Sequence, residues 1–109
     1  MNVRALSPRV LDVIFGVYRA VTKSHWKPNA LEEVQRALEV HGKFERLAGT
    51  PQNWSSKLVI EKKPTGLLDV RIEVNPLLPQ TLKASVNRMQ TTFNAGLEKE
   101  LRVQGLQGP

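Results

Sequence analysis

The stretch from Lys57 to Val74, KLVIEKKPTGLLDVRIEV, decides the fold class. In its second half Leu68, Val70, Ile72 and Val74 alternate with Asp69, Arg71 and Glu73, the period-two pattern of a strand with one buried and one solvated face. Leu58 and Ile60 supply matching apolar positions in the first half. Between them, Lys62-Lys63-Pro64-Thr65-Gly66 has turn composition and suits a loop of about four or five residues. The alternation places Ile72 in the core and Arg71 in solvent. A lone two-stranded ribbon is only marginally stable in water. Its apolar face therefore has to lie on helices or on another copy of the chain.

Upstream, Ser7-Pro8 reads as a helix start, with Ser7 as N-cap and Pro8 at the first helical position, where its missing N–H costs nothing. Val10, Ile14, Val17, Tyr18 and Val21 share one face, and Leu11, Val13 and Phe15 widen it. A helix this broadly apolar needs cover on more than one side, and subunit contact is one way to supply it. His25-Trp26-Lys27-Pro28 ends the helix, because a residue before proline is pushed out of the helical region. Asn29 with Glu32 resembles a capping box and opens a second helix. Its apolar face takes in Leu31, Val34, Ala37, Leu38, Val40, Phe44 and Leu47; Gly49 and Pro51 form the stop signal, and Gly42 marks an earlier candidate end. The short link between these helices predicts an antiparallel helical hairpin.

Downstream, Asn75 to Pro79 is a rigid connection into a final helix from Gln80 to Arg102, about 35 Å long. Its seam of Leu82, Val86, Met89, Phe93 and Leu97 is narrow and flanked by Ser, Thr, Asn and Gln. Such a stripe fits a partner-docking surface, since uncharged polar flanks cost less to desolvate than charges. The predicted architecture is one α+β domain over residues 7–103 in the order α-α-β-β-α: a helical hairpin, a two-stranded antiparallel ribbon and a long C-terminal helix. Residues 1–6 and 104–109 are expected as flexible tails.

Composition bounds the function. With 109 residues and 40% apolar content there is room for one modest core. The chain has no cysteine, which excludes disulfides, thiolate chemistry and cysteine-based zinc sites. No run approaches the roughly 20 apolar residues of a membrane span. The longest, Val10 to Val21, is broken by Asp12 and Arg19 and followed by no small-residue cleavage site. A cytoplasmic protein without membrane contact is expected. Sixteen Lys and Arg against ten Asp and Glu leave a net charge of +6, concentrated in the first 29 residues. There Arg4, Arg9, Arg19, Lys23 and Lys27 face Asp12 alone. Such a segment suits a polyanion, and equally a plainly solvated basic surface.

Chemistry is hard to find. Gly42, Gly49 and Gly66 are isolated, so no glycine-rich phosphate loop is formed. His41 and Glu45, one helical turn apart in the expected helix, would be two metal ligands without a third, and the plainer reading is a histidine at the edge of the core. Ser55-Ser56 lacks a nucleophile elbow, and Asp12 and Asp69 fall on solvated faces. The residues predict no enzyme, no metal and no cofactor. Trp26 and Trp54 lie near bases and could stack on nucleobases, although large aromatics more often anchor a loop on the core. Lys62 and Lys63 at the ribbon tip are better placed for phosphate contacts, with Arg9, Arg19, Lys23 and Lys27 as further candidates.

The run Arg36-Ala37-Leu38-Glu39-Val40-His41-Gly42-Lys43, followed by a Lys/Glu-rich strand pair ending in Val70-Arg71-Ile72-Glu73-Val74, resembles the later part of tailed-phage small terminase subunits. The resemblance covers residues 31–74. It implies a helical hairpin that builds an oligomeric ring and a β-segment contributing to a barrel or crown. The N-terminal helix-turn-helix DNA reader usual in that family has no counterpart in the first 30 residues, and the long C-terminal helix departs from the pattern. The expected function is a small, basic, non-enzymatic, phage-type or mobile-element DNA-associated assembly protein acting as a homo-oligomer. The alternative is a protein–protein interaction module, such as an adaptor, inhibitor or structural component, docking through its C-terminal helix.

Overall fold

A computed structural model describes residues 1–23 and 27–106. The elements are β1 (Asn2–Val3), α1 (Pro8–Thr22), α2 (Leu31–His41), β2 (Lys43–Thr50), β3 (Asn53–Lys62), β4 (Leu68–Val74) and α3 (Gln80–Val103). The strands form one antiparallel sheet in the order β1-β4-β3-β2. The chain is α+β with a long C-terminal helix, as the pattern predicted. The ribbon, however, is the centre of a four-stranded sheet.

The β3–β4 register follows the alternation: Leu58 opposes Ile72 and Ile60 opposes Val70. All four are buried, with Phe44 and Leu68 beside them on the same face. All three helices contribute to this core, through Val10, Ile14, Phe15 and Tyr18 of α1, Val34 and Leu38 of α2, and Val86, Phe93, Leu97 and Leu101 of α3. Edge-on ring contacts fix the helices against it, Phe15 on Phe44 and Tyr18 on Phe93. The helices thus cover one face of the sheet and leave the other open.

Three expectations are corrected. First, α2 stops at His41 and residues 43–50 form a strand. Gly42 takes a left-handed conformation (φ 72°), and its N–H closes on the Leu38 carbonyl at 3.0 Å. Beyond it Phe44 points to the core while Lys43 and Glu45 point away. Val40, Phe44 and Leu47 had looked like a helical face because their spacing of four and three overlaps a period of two. Second, no α1–α2 hairpin is built: α1 packs against α3. Third, the N-terminus is no tail in full. Asn2 and Val3 pair with Asp69 and Leu68, and the Met1 carbonyl accepts from the Val70 N–H at 2.7 Å. At the other end, Leu106 donates to the Leu101 carbonyl, so the expected C-terminal tail begins with a closed turn; residues 107–109 lie outside the described ones.

Capping is as predicted for α1, where the Ser7 hydroxyl accepts from the Val10 N–H at 3.1 Å. It differs for α2. The Ncap is Ala30, with no side-chain bond, and Asn29 instead donates to the Glu33 carboxylate and accepts from Arg46 at 2.9 Å. No helix among the described residues is long and apolar enough to cross a membrane.

Candidate nucleic-acid interface

The helix-free face of the sheet is a lattice of ion pairs. Arg71 donates to Glu73, Asp69 and Glu61 at 2.8 to 3.0 Å. Lys57 pairs with Glu45 and sits 3.7 Å from Glu73. Lys43 adds to Glu45 at 3.5 Å, and the Met1 amino group to Asp69 at 3.4 Å. Partial burial works against the Arg71 charge, but hydrogen bonds to Glu73, Asp69 and Glu61 outweigh it and raise the guanidinium pKa. Asp69 meets the same contest: desolvation would raise its pKa, and Arg71 with the Met1 amino group pull it below the usual range. Glu45 is lowered and Lys57 raised chiefly by their mutual hydrogen bond. Arg71, expected in open solvent, is thus on the predicted face but only 28% exposed.

This lattice redistributes the charge of the molecule. Of the sixteen Lys and Arg and ten Asp and Glu, it absorbs three bases and four acids, the Met1 amino group supplying the fourth cation. Thirteen bases and six acids remain. Glu32, Glu33 and Glu39 stand on α2 with Arg36, and Arg46 and Lys62 on strands, so α1, α3 and the connections carry ten bases against Asp12, Glu98 and Glu100.

The six predicted phosphate contacts divide between two ends of the molecule. Lys62 and Lys63 are exposed at the end where Val3 pairs with Leu68, and Arg9 begins the helix that leaves that end. Half-buried Arg19 and exposed Lys23 lie at the far end of α1, where the Tyr18 hydroxyl meets the Arg46 carbonyl at 3.5 Å. Exposed Lys27 is at that same end, two residues from the Asn29 that binds Arg46. Arg88 of α3 stands level with Lys23, because α3 runs antiparallel to α1 and Phe93 meets Tyr18, and Lys83 lies further along α3 toward its start. Neither has a signal of its own in the sequence; only the helix pairing brings Arg88 to the level of Lys23.

The predicted docking seam has a different use. Val86, Phe93 and Leu97 are buried in the chain's own core, and Met89 packs against it. Only Leu82, 51% exposed, is available, with Leu77 ahead of it at 89%. The stripe looked too narrow for a core face because α3 covers one edge of the sheet and shares the layer with α1. Beside it, on the solvent side, α1 and α3 enclose an apolar groove of about 640 Å³ lined by Val13, Gly16, Val17, Val21 and Gly96. Arg9, Asp12, Lys99 and Glu100 stand at one end.

His41 closes α2 while Glu45 lies on β2 in the ion lattice, so the two are not ligands on one helix turn. No group of three metal-ligating side chains occurs among the described residues. Ser56 is buried and hydrogen-bonded to Tyr18, whose pKa is raised by burial. Trp54 is half-buried, with the Lys57 ammonium 5.2 Å from its ring centroid. Trp26 lies outside the described residues. No family model, curated protein or solved structure matches the chain.

Proposed function

We infer that the chain is a non-enzymatic, DNA-associated assembly protein of the phage or mobile-element type, acting as a homo-oligomer and contacting nucleic acid through phosphates. One observation carries the nucleic-acid reading. The acids that would oppose a polyanion are gathered on the open sheet face, where bases already neutralise them, and on α2. The surface of α1, α3 and the connections is left with ten bases against three acids. Phosphate contacts need such a surface and no special pocket. The phage-type assignment rests on the resemblance of residues 31–74.

The test is retention of a random-sequence duplex at increasing salt. Binding should fall steeply, with a log–log slope set by the number of phosphates neutralised. Lys23→Glu with Lys27→Glu and Arg88→Glu should weaken it at least about tenfold for every sequence alike and flatten the slope. Lys62→Glu with Lys63→Glu tests the other end in the same way. Absence of retention by the wild-type chain at low salt would refute the reading. The alternative, a protein-docking module using α3, draws its support from exposed Leu77 and Leu82 at the start of that helix.

A further inference from the structure

We propose that the groove between α1 and α3 seats the same groove of a second copy, giving a two-fold interface of four helices. The proposal deepens the homo-oligomer part of the reading above and rests on it. The helices run antiparallel: Tyr18 meets Phe93 edge-on, the Val17 side chain lies 3.1 Å from where a Gly96 Cβ would stand, and the start of α1 shares the groove with the end of α3. Toward that shared end of the groove each helix carries one base and one acid, Arg9 and Asp12 on α1, Lys99 and Glu100 on α3. None of the four forms an ion pair within the chain among the described residues.

A two-fold axis along the groove preserves height and exchanges the helices, so α1 of one copy faces α3 of the other. Arg9 then meets the second copy's Glu100, and Asp12 its Lys99. An isologous contact requires this self-complementarity, and charge matching of this kind selects partner and register. The groove floor has room for the approach. A Cβ at Gly16 would find no atom within 4 Å, and exposed Ala20 lies one turn on. Val17 and Val21, left half-buried by the chain's own core, would be covered.

The experiment is native mass by light scattering at tens of micromolar protein, beside duplex retention on the same samples. Wild type should be a dimer. Gly16→Leu fills the groove without touching the fold, so it should be a monomer with the circular dichroism of wild type and a single cooperative unfolding transition. Arg9→Glu and Glu100→Arg should each weaken the dimer at least about tenfold. Mixed in equal amounts they should associate again, because each copy then offers the charge the other lacks; pairing within one chain would produce no such recovery. A monomeric wild type, a dimeric Gly16→Leu variant, or no recovery on mixing would overturn the proposal. Duplex retention is read separately, so loss of the groove contact and loss of nucleic-acid binding are distinguished.

Discussion

Arg71 stands directly opposite Val59 across the β3–β4 ladder, on the sheet face that no helix covers. Val59 is nevertheless only 1% exposed. Its same-face neighbours are Lys57 and Glu61 along β3, Glu45 across β2 and Arg71 across β4. The aliphatic stems of these side chains shield the valine while their heads pair in water. The ion lattice is therefore also a lid over the one apolar side chain that the alternation of β3 leaves on the wrong side.

Arg71→Ala should destabilise the fold by about 1–2 kcal/mol, since it uncovers Val59 and leaves three carboxylates without their shared partner. Arg71→Glu should cost more, by adding a fourth carboxylate to Glu61, Asp69 and Glu73. Urea denaturation would measure both. A neutral Arg71→Glu would show that the lattice contributes nothing to stability.

Acid should weaken the lattice in a defined direction. Glu45 and Asp69 are lowered in the folded chain from ordinary values of 4.5 and 3.8. A depressed carboxylate contributes stability that is complete above its unfolded value and is lost as pH falls through its folded value. Thermal midpoints should be level with respect to these two groups down to about pH 5 and decline below it. Glu45→Gln should lower the midpoint at neutral pH and make that decline shallower.

Phe93→Ala should act on folding before it acts on association. The ring is fully buried and packs edge-on against Tyr18. Truncation of such a core aromatic costs about 3–5 kcal/mol, which circular dichroism on heating would register as a large loss of midpoint. An intact fold with lost association would restore the docking role first expected for this residue.

Two glycine substitutions should have opposite signs. Gly49 lies at φ 123° beside the β2 irregularity, and a Cβ there would come within 2.9 Å of the Trp54 Cα and nearer still to the Asn53 carbonyl oxygen. Gly49→Ala should therefore destabilise by about 1–3 kcal/mol or more. Gly16 is helical with open space around it, and Gly16→Ala should stabilise by about 0.5–1 kcal/mol. Unfolding midpoints of the two variants would decide.

The register of β3 and β4 was legible because Leu68 to Val74 alternates without a break and leaves one register that buries its apolar set. The boundary at Gly42 was visible only as one of two stop signals; a left-handed glycine and a helical one look the same in sequence. The pairing of Asn2 and Val3 with β4 had no local signal, since two residues carry no period. The redistribution of charge was hidden for another reason. Arg71, Lys57 and Glu45 are ordinary strand residues until the ladder places them side by side, and only then does the excess of bases over acids on α1 and α3 stand out.

The pairing of the first three residues with β4 also sets an order of events in folding. Met1 bonds to Val70, 69 positions along the chain, whereas β3 and β4 are joined by a turn of five residues. Closing the short turn forfeits far less chain entropy than closing the long span. The central hairpin can form as soon as it is synthesised, while Asn2 and Val3, made before it, have no edge to join until β4 exists. A strand made before its partner is thus fixed after it, and until then the β4 edge stays open to any other strand.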